Sequence, residues 1–201
     1  MNLKVGKLSL VIVLIILGLF TGGGASSIHT KESAVEKFKN GYFLAAAEEA
    51  KNLESVDGYL LAAEALIIYT ENFAEKSEHQ QYLLEAIELA RKSVALQSEN
   101  PETYAILIRG LGRYAQLLPP GKALSEGLAK ELRENLDTLL ELDPESWKGH
   151  LGYGFWHAEI VVKGGLPGML LFNASRRKAL FHFDRAIELK QDSIILHFEM
   201  S

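Results

Sequence analysis

The sequence predicts an all-α chain of antiparallel helix pairs, on three observations. Apolar residues recur at near-helical spacing: across 132–142 they fall at Leu132, Leu136, Leu139, Leu140 and Leu142, most of them on one face. The pattern is punctuated by short stops. At Asp143-Pro144 proline removes a backbone donor and disfavours helix in the residue before it, while Ser146 or Asp143 is placed to cap the next helix. The whole unit then repeats. With Leu96, Leu142 and Leu189 taken as the last apolar residue of a helix, the intervals are 46 and 47 residues.

Residues 1–25 read as a signal peptide and 26–201 as the folded domain. Lys4 and Lys7 make a positive start, 8–20 is apolar and uncharged, and 21–27 is small and polar. The apolar run of 13 residues is shorter than the roughly 20 that a membrane-spanning helix needs. A cleaved secretory signal is therefore expected, with Gly23 and Ala25 at the small positions, giving an exported, periplasmic protein. The alternative is an uncleaved anchor, because Val5 and the glycines at 22–24 extend the span.

The chain has no cysteine, which excludes disulfides, thiolate chemistry and attachment of a lipid through cysteine. Residues 26–201 carry 19 basic and 26 acidic side chains, a net charge of −7. That balance argues against nucleic acid as a partner, since phosphate binding needs a basic surface.

Helices are expected in order at 33–39 and 44–53, the second rich in alanine, then at 59–73 and 82–96 across a charged linker at 75–81. The third pair is read at 102–117 and 124–142, the fourth at 146–162 and 175–189, and a fifth helix begins at 193. In 147–156 the apolar stripe is interrupted by Gly149, Gly152 and Gly154. Each costs about 1 kcal/mol of helix propensity against alanine, which marks them as points of close helix contact.

Counting back ten, six and three residues from the three leucines gives Ala86, Leu132 and Ala179; Ala90, Leu136 and Phe183; Ser93, Leu139 and Ala186. Counting forward gives Tyr104, His150 and His197; Leu107, Tyr153 and Met200; Ile108, Gly154 and Ser201. This register, carried by AIELARKSVAL, LDPESWKGHLGYG and ALFHFDRAIEL, resembles the tetratricopeptide repeat (TPR). The resemblance implies a TPR-like right-handed superhelix of antiparallel helix pairs, covering about residues 31–201. The family repeats every 34 residues or so, so each repeat here carries about a dozen more. With its long helices and long connections the chain is also similar to the T-component of TRAP-type solute transporters. The helical domain of eukaryotic regulators of microtubule dynamics, some of which bind phospholipid, is a second such likeness.

The extra residues fall between the two helices of a pair. Ile108 to Leu132 is 24 residues and Gly154 to Ala179 is 25, where the family has about 12. The second insert, GGLPGMLLF at 164–172, holds two glycines and a Pro-Gly that break a helix, then four consecutive apolar residues. Leu166, Met169 and Phe172 are accordingly candidate binding residues. Three readings stand: the segment plugs the end of the stack, it lids an apolar pocket, or it touches a membrane surface through 166–178. Arg176, Arg177 and Lys178 would then meet anionic headgroups.

Groove-facing residues of the repeat family, transferred by the resemblance, are Glu102, Ala105, Arg109 and Arg113 in the third pair. In the fourth they are Lys148, Leu151, Phe155 and Glu159. Arg109 and Arg113, four apart on one helix face, suit a carboxylate or phosphate held bidentately; ion pairing with neighbouring glutamates is the competing reading.

His150 and His157, with Glu159 beyond, bring a metal to mind, but their spacing lacks the i,i+4 of helical zinc pairs. No metal and no cofactor is expected. No nucleophile elbow, phosphate loop or Cys/His dyad is present, so no enzymatic activity is expected. Asn173-Ala174-Ser175 matches a glycosylation acceptor and equally a helix cap. The expected function is a non-enzymatic exported scaffold that recognises a protein or peptide partner. The alternative is a binder of a small apolar or anionic ligand, or a lipid, in a cavity of the helical stack.

Overall fold

Thr30 accepts a hydrogen bond from the Ser33 N–H through its hydroxyl and so starts the first helix in a computed structural model of the chain, which describes residues 30–119 and 121–199. The signal segment expected at 1–25 lies outside these residues. So do Met200, Ser201 and the His197 side chain of the repeat columns. Among the described residues helix is the only regular secondary structure, and the protein is all-α.

The helices are α1 Lys31–Lys39, α2 Phe43–Lys51, α3 Val56–Asn72, α4 His79–Leu96, α5 Pro101–Leu117, α6 Lys122–Ser125, α7 Leu128–Leu142, α8 Trp147–Glu159, α9 Gly165–Phe172 and α10 Arg176–Glu199. A π-helical turn, Ile160–Gly164, joins α8 to α9. Their starts follow capping chemistry. Ser55 accepts from the Gly58 N–H, Asn100 from Glu102 with Pro101 at the first helical position, and Ser146 from Gly149. Ser175 likewise accepts from the Lys178 N–H, and Asn173 takes the left-handed conformation at the end of α9. The Asn-Ala-Ser motif thus serves as a stop and a start.

Each long helix packs on its neighbours in sequence: α3 on α4, α4 on α5, α5 on α7, α7 on α8, α8 on α10. The first half of the core is built from alanines, Ala46, Ala47, Ala50, Ala62, Ala63 and Ala65, all buried, and the second half from Leu128, Leu132, Leu136, Leu139 and Trp156. Two of the repeat columns lie wholly inside. Ala86, Leu132 and Ala179 are buried, as are Ser93, Leu139 and Ala186.

The three counting leucines are not themselves core. Leu96 and Leu142 end α4 and α7 at the surface. Each precedes a residue whose N–H bonds the carbonyl four back, Gln97 to Ser93 at 3.0 Å and Asp143 to Leu139 at 2.9 Å. Leu189 instead sits half-buried within α10, which does not stop there.

Three expectations are corrected. The helix expected at 124–142 is cut in two at Gly127, whose φ of 77° is left-handed. The expected break at 164–172 is one residue wide: Gly165 turns the chain at φ 54°, and the chain then re-enters helix as α9 with Pro167 in its first turn, where a missing N–H costs nothing. The fifth helix expected at 193 is continuous with α10, because no glycine or proline lies between 176 and 199 to end it.

Candidate functional site: a cavity between α5, α7 and α8

The i,i+4 geometry of a helix sets Ala105, Arg109 and Arg113 on one face of α5 and Lys148, Leu151, Phe155 and Glu159 on one face of α8. Between these faces lies a cavity of about 580 Å³, within the ~300–1,000 Å³ range of small-molecule sites. Its apolar walls are Ile106, Ile108, Ala129, Leu132, Leu151, Phe155, Trp156 and Ile160. Gly112 opens onto it, since a Cβ there would meet nothing within 4 Å. Gly152 does the opposite job: a Cβ there would lie 2.7 Å from Leu136 and 3.2 Å from Ile108, so its absence lets α8 approach both helices.

The indole of Trp156 is fixed by a 2.8 Å hydrogen bond from Nε1 to the Ala129 carbonyl. Arg133 lies over the ring at 5.7 Å and donates to the Phe172 carbonyl at 3.2 Å. This ties the end of α9 to α7 and caps one of its free carbonyls. The π-helical turn contributes Ile160, Lys163 and Gly164 to the cavity.

Charge is gathered at the rim. Arg109, Arg113, Lys148, Lys163 and Lys190 line the cavity with Glu64 and Glu159. Most of these cations are already paired. Glu71 accepts from Arg109 Nη2 and from Arg113 Nε, both at 2.6 Å, and Glu64 stands 4.0 Å from Arg109. Burial alone would push the Glu71 carboxyl up, but the hydrogen bonds and charges of the two arginines outweigh it and hold the group below its ordinary value. Lys148 pairs with Glu102 and Lys163 with Glu159. Among the described residues Lys190 has no carboxylate partner; its ammonium sits 4.9 Å from the centre of the Trp147 ring.

Seven of the eight groove positions singled out in sequence therefore meet around one space: Ala105, Arg109, Arg113, Lys148, Leu151, Phe155 and Glu159. The arginine pair is closed on Glu71 rather than open for a ligand. Leu166, Met169 and Phe172 do not line the cavity; Phe172 reaches its wall only by packing edge-on against Trp156 at 5.8 Å. Trp147, Trp156, Gly112 and Lys190 were missed. The first two lie on the same α8 stripe and were legible from it, whereas Lys190 lies beyond the position where the helix was expected to end.

A second cluster fills the contact between α8 and α10. His150 Nε2 lies 3.3 Å from the Pro144 carbonyl and its Nδ1 lies 3.0 Å from His182 Nδ1. The carbonyl can only accept, so neutral His150 carries its proton on Nε2 and accepts at Nδ1 from His182. Tyr153 stacks on His182 at 4.8 Å and on His157 at 5.8 Å, and its hydroxyl donates to Asp137. His157 Nδ1 is buried without a hydrogen-bond partner. Burial, with neighbouring positive charge, pushes His157 and His182 down to about 4. Among the described residues no group of three His, Asp or Glu is placed to hold a metal, and Glu159 is engaged at the cavity rim instead.

Compared with protein families and with curated proteins, the chain matches none.

Proposed function

We propose that the chain is an exported, non-enzymatic binding protein whose cavity takes an apolar ligand ending in one anionic group. The observation that carries this is the composition of the cavity: aliphatic and aromatic walls below a rim of five cations, four of them paired with Glu71, Glu102 and Glu159, and Lys190 without a carboxylate partner among the described residues. A single carboxylate or phosphate balances that excess; a polyanion does not. The chemistry of the site is retention, because among the described residues no nucleophile paired with a base lines it.

The helix stack is read as a TPR-like right-handed superhelix of antiparallel pairs. The burial of two complete repeat columns supports it, and so does the pairing of Glu102 with Lys148, which occupy equivalent positions in successive repeats. Seven cavity residues then fall at the groove positions of the repeat. A protein or peptide partner is the second reading. Phe155, half exposed at the mouth, favours it, since an acidic peptide end entering there would meet the same rim.

Native mass spectrometry of the protein purified without detergent tests the reading. A retained small molecule carrying an acid group is expected. Protein that arrives empty, and fails to enhance the fluorescence of anilinonaphthalene sulfonate, would leave the peptide reading in its place.

A further inference from the structure

From Gly164 to Ser175 the chain holds no charged residue, yet the helix within it stands on the surface. Its inner side, Gly168, Met169 and Phe172, is buried or half-buried against Ile160 and Trp156. The outer side is also apolar: Leu166, Leu170 and Leu171 are 68, 76 and 75% exposed, and Val162, four residues before Leu166, is 79% exposed. At about 100° per residue, positions 166, 167, 170 and 171 span about 140° of the helix, a full face with no polar group. A soluble surface helix places polar side chains there.

Arg176 and Arg177 follow at once, both exposed, and among the described residues neither forms a salt bridge. Lys178 donates to the Asn173 carbonyl at 2.7 Å, and Lys163 is paired with Glu159.

We propose that α9 docks on an anionic lipid bilayer, its leucines entering the interface with Val162 while Arg176 and Arg177 meet the headgroups. Three considerations select this occupant. An apolar face bordered by unpaired cations matches a surface that offers apolar depth beneath a plane of negative charge. A second copy docking face to face would bring its own arginines against these, like charge on like. The rest of residues 26–201 is strongly acidic, so docking through another face is opposed by repulsion. The helix lies in the interface and does not cross it; among the described residues no helix is long and apolar enough to span a membrane. This inference is independent of what the cavity holds.

The absence of cysteine makes the test direct. The full chain carrying Leu171→Cys, labelled with the environment-sensitive fluorophore NBD, is mixed with vesicles of equal phosphatidylcholine and phosphatidylglycerol. A second chain is labelled at Lys76→Cys, in the linker between α3 and α4. At position 171 a blue shift, a severalfold intensity rise and quenching by doxyl-labelled lipid are expected; at position 76 none of these. Adding Arg176→Gln and Arg177→Gln raises the lipid concentration for half-maximal signal about thirtyfold and leaves the weak signal on pure phosphatidylcholine unchanged. No shift at 171 overturns the proposal. So does equal binding to both vesicle types, or a lipid-free shift that tracks protein concentration, which would assign the face to self-association.

Discussion

His150 and His182 meet Nδ1 to Nδ1 at 3.0 Å between α8 and α10, a contact that exists only while at least one of them is neutral. The cluster is surrounded by positive charge, with Lys178 and Arg133 acting on His157 and Arg185 on His150, while Asp137 and Asp143 stand on its other side. Both His157 and His182 lie at about 4 in the folded chain against 6.5 ordinarily. A depressed histidine takes up its proton in the unfolded chain first, so stability falls as pH drops from about 6.5 towards 4 and is flat above 7. His182 is half-buried, so solvent screens part of the effect and the loss across that window is about 2–3 kcal/mol in total. Urea midpoints at pH 7 and pH 4.5 measure it, and His182→Phe is expected to flatten the slope. A midpoint that does not move between those pH values would contradict the assignment.

Glu71 holds two arginines at once, and removing its charge separates two effects. In Glu71→Gln, Arg109 and Arg113 repel each other, with Glu64 left 4.0 Å from Arg109, at a cost of about 1–2 kcal/mol given their partial exposure. The same change frees their donors at the cavity rim. Anilinonaphthalene sulfonate is expected to bind severalfold more tightly to the less stable variant. The wild-type contribution has the same pH sense as the histidines but in a lower window: the carboxyl is depressed, so its stabilisation is complete above about 4.5 and is lost as pH falls through its folded value. Lost stability without altered dye affinity would mean that the arginines do not address the cavity.

Gly154 faces Phe183 so closely that a Cβ would enter the ring's van der Waals surface. Gly154→Ala gains about 1 kcal/mol of helix propensity but forces the ring, and with it the T-shaped contact to Phe155 at 5.2 Å, out of place. Overpacking of this kind costs about 1–3 kcal/mol, so a net loss is expected in urea denaturation. Phe183→Leu in the same chain relieves it. If Gly154→Ala costs the same in both backgrounds, the close approach is not what the glycine is for.

Helix-scale features were legible in the sequence because local chemistry fixes them. Asn100-Pro101, Asp143-Pro144 and Ser146 stop and start helices through their own backbone groups, and the α8 stripe gave half the cavity from one element. What was not legible depends on partners distant in sequence. The choice of Glu71 as the mate of Arg109 and Arg113, 38 and 42 residues away, leaves no trace in either helix's pattern. The segment GGLPG was read as a break because two glycines and a proline weigh against helix. In the structure α9 lies against Ile160 and Trp156 through Gly168 and Phe172, and that packing outweighs intrinsic propensity.

Gly112 gives the sharpest test of the cavity, because it lines the space and nothing occupies the direction of its missing side chain. Leucine there keeps the helix, gains about 1 kcal/mol of propensity over glycine and buries apolar surface against the opposite wall at roughly 25 cal/mol per Å². Gly112→Leu is therefore expected to stabilise the protein by about 1–2 kcal/mol while abolishing most of the dye signal and any co-purified ligand. Gly112→Ala should capture the propensity gain with a smaller effect on binding. The opposite movement of stability and affinity is the informative part: a substitution that merely damaged the fold would lower both. A leucine variant that is more stable and still retains its small molecule would place the binding elsewhere.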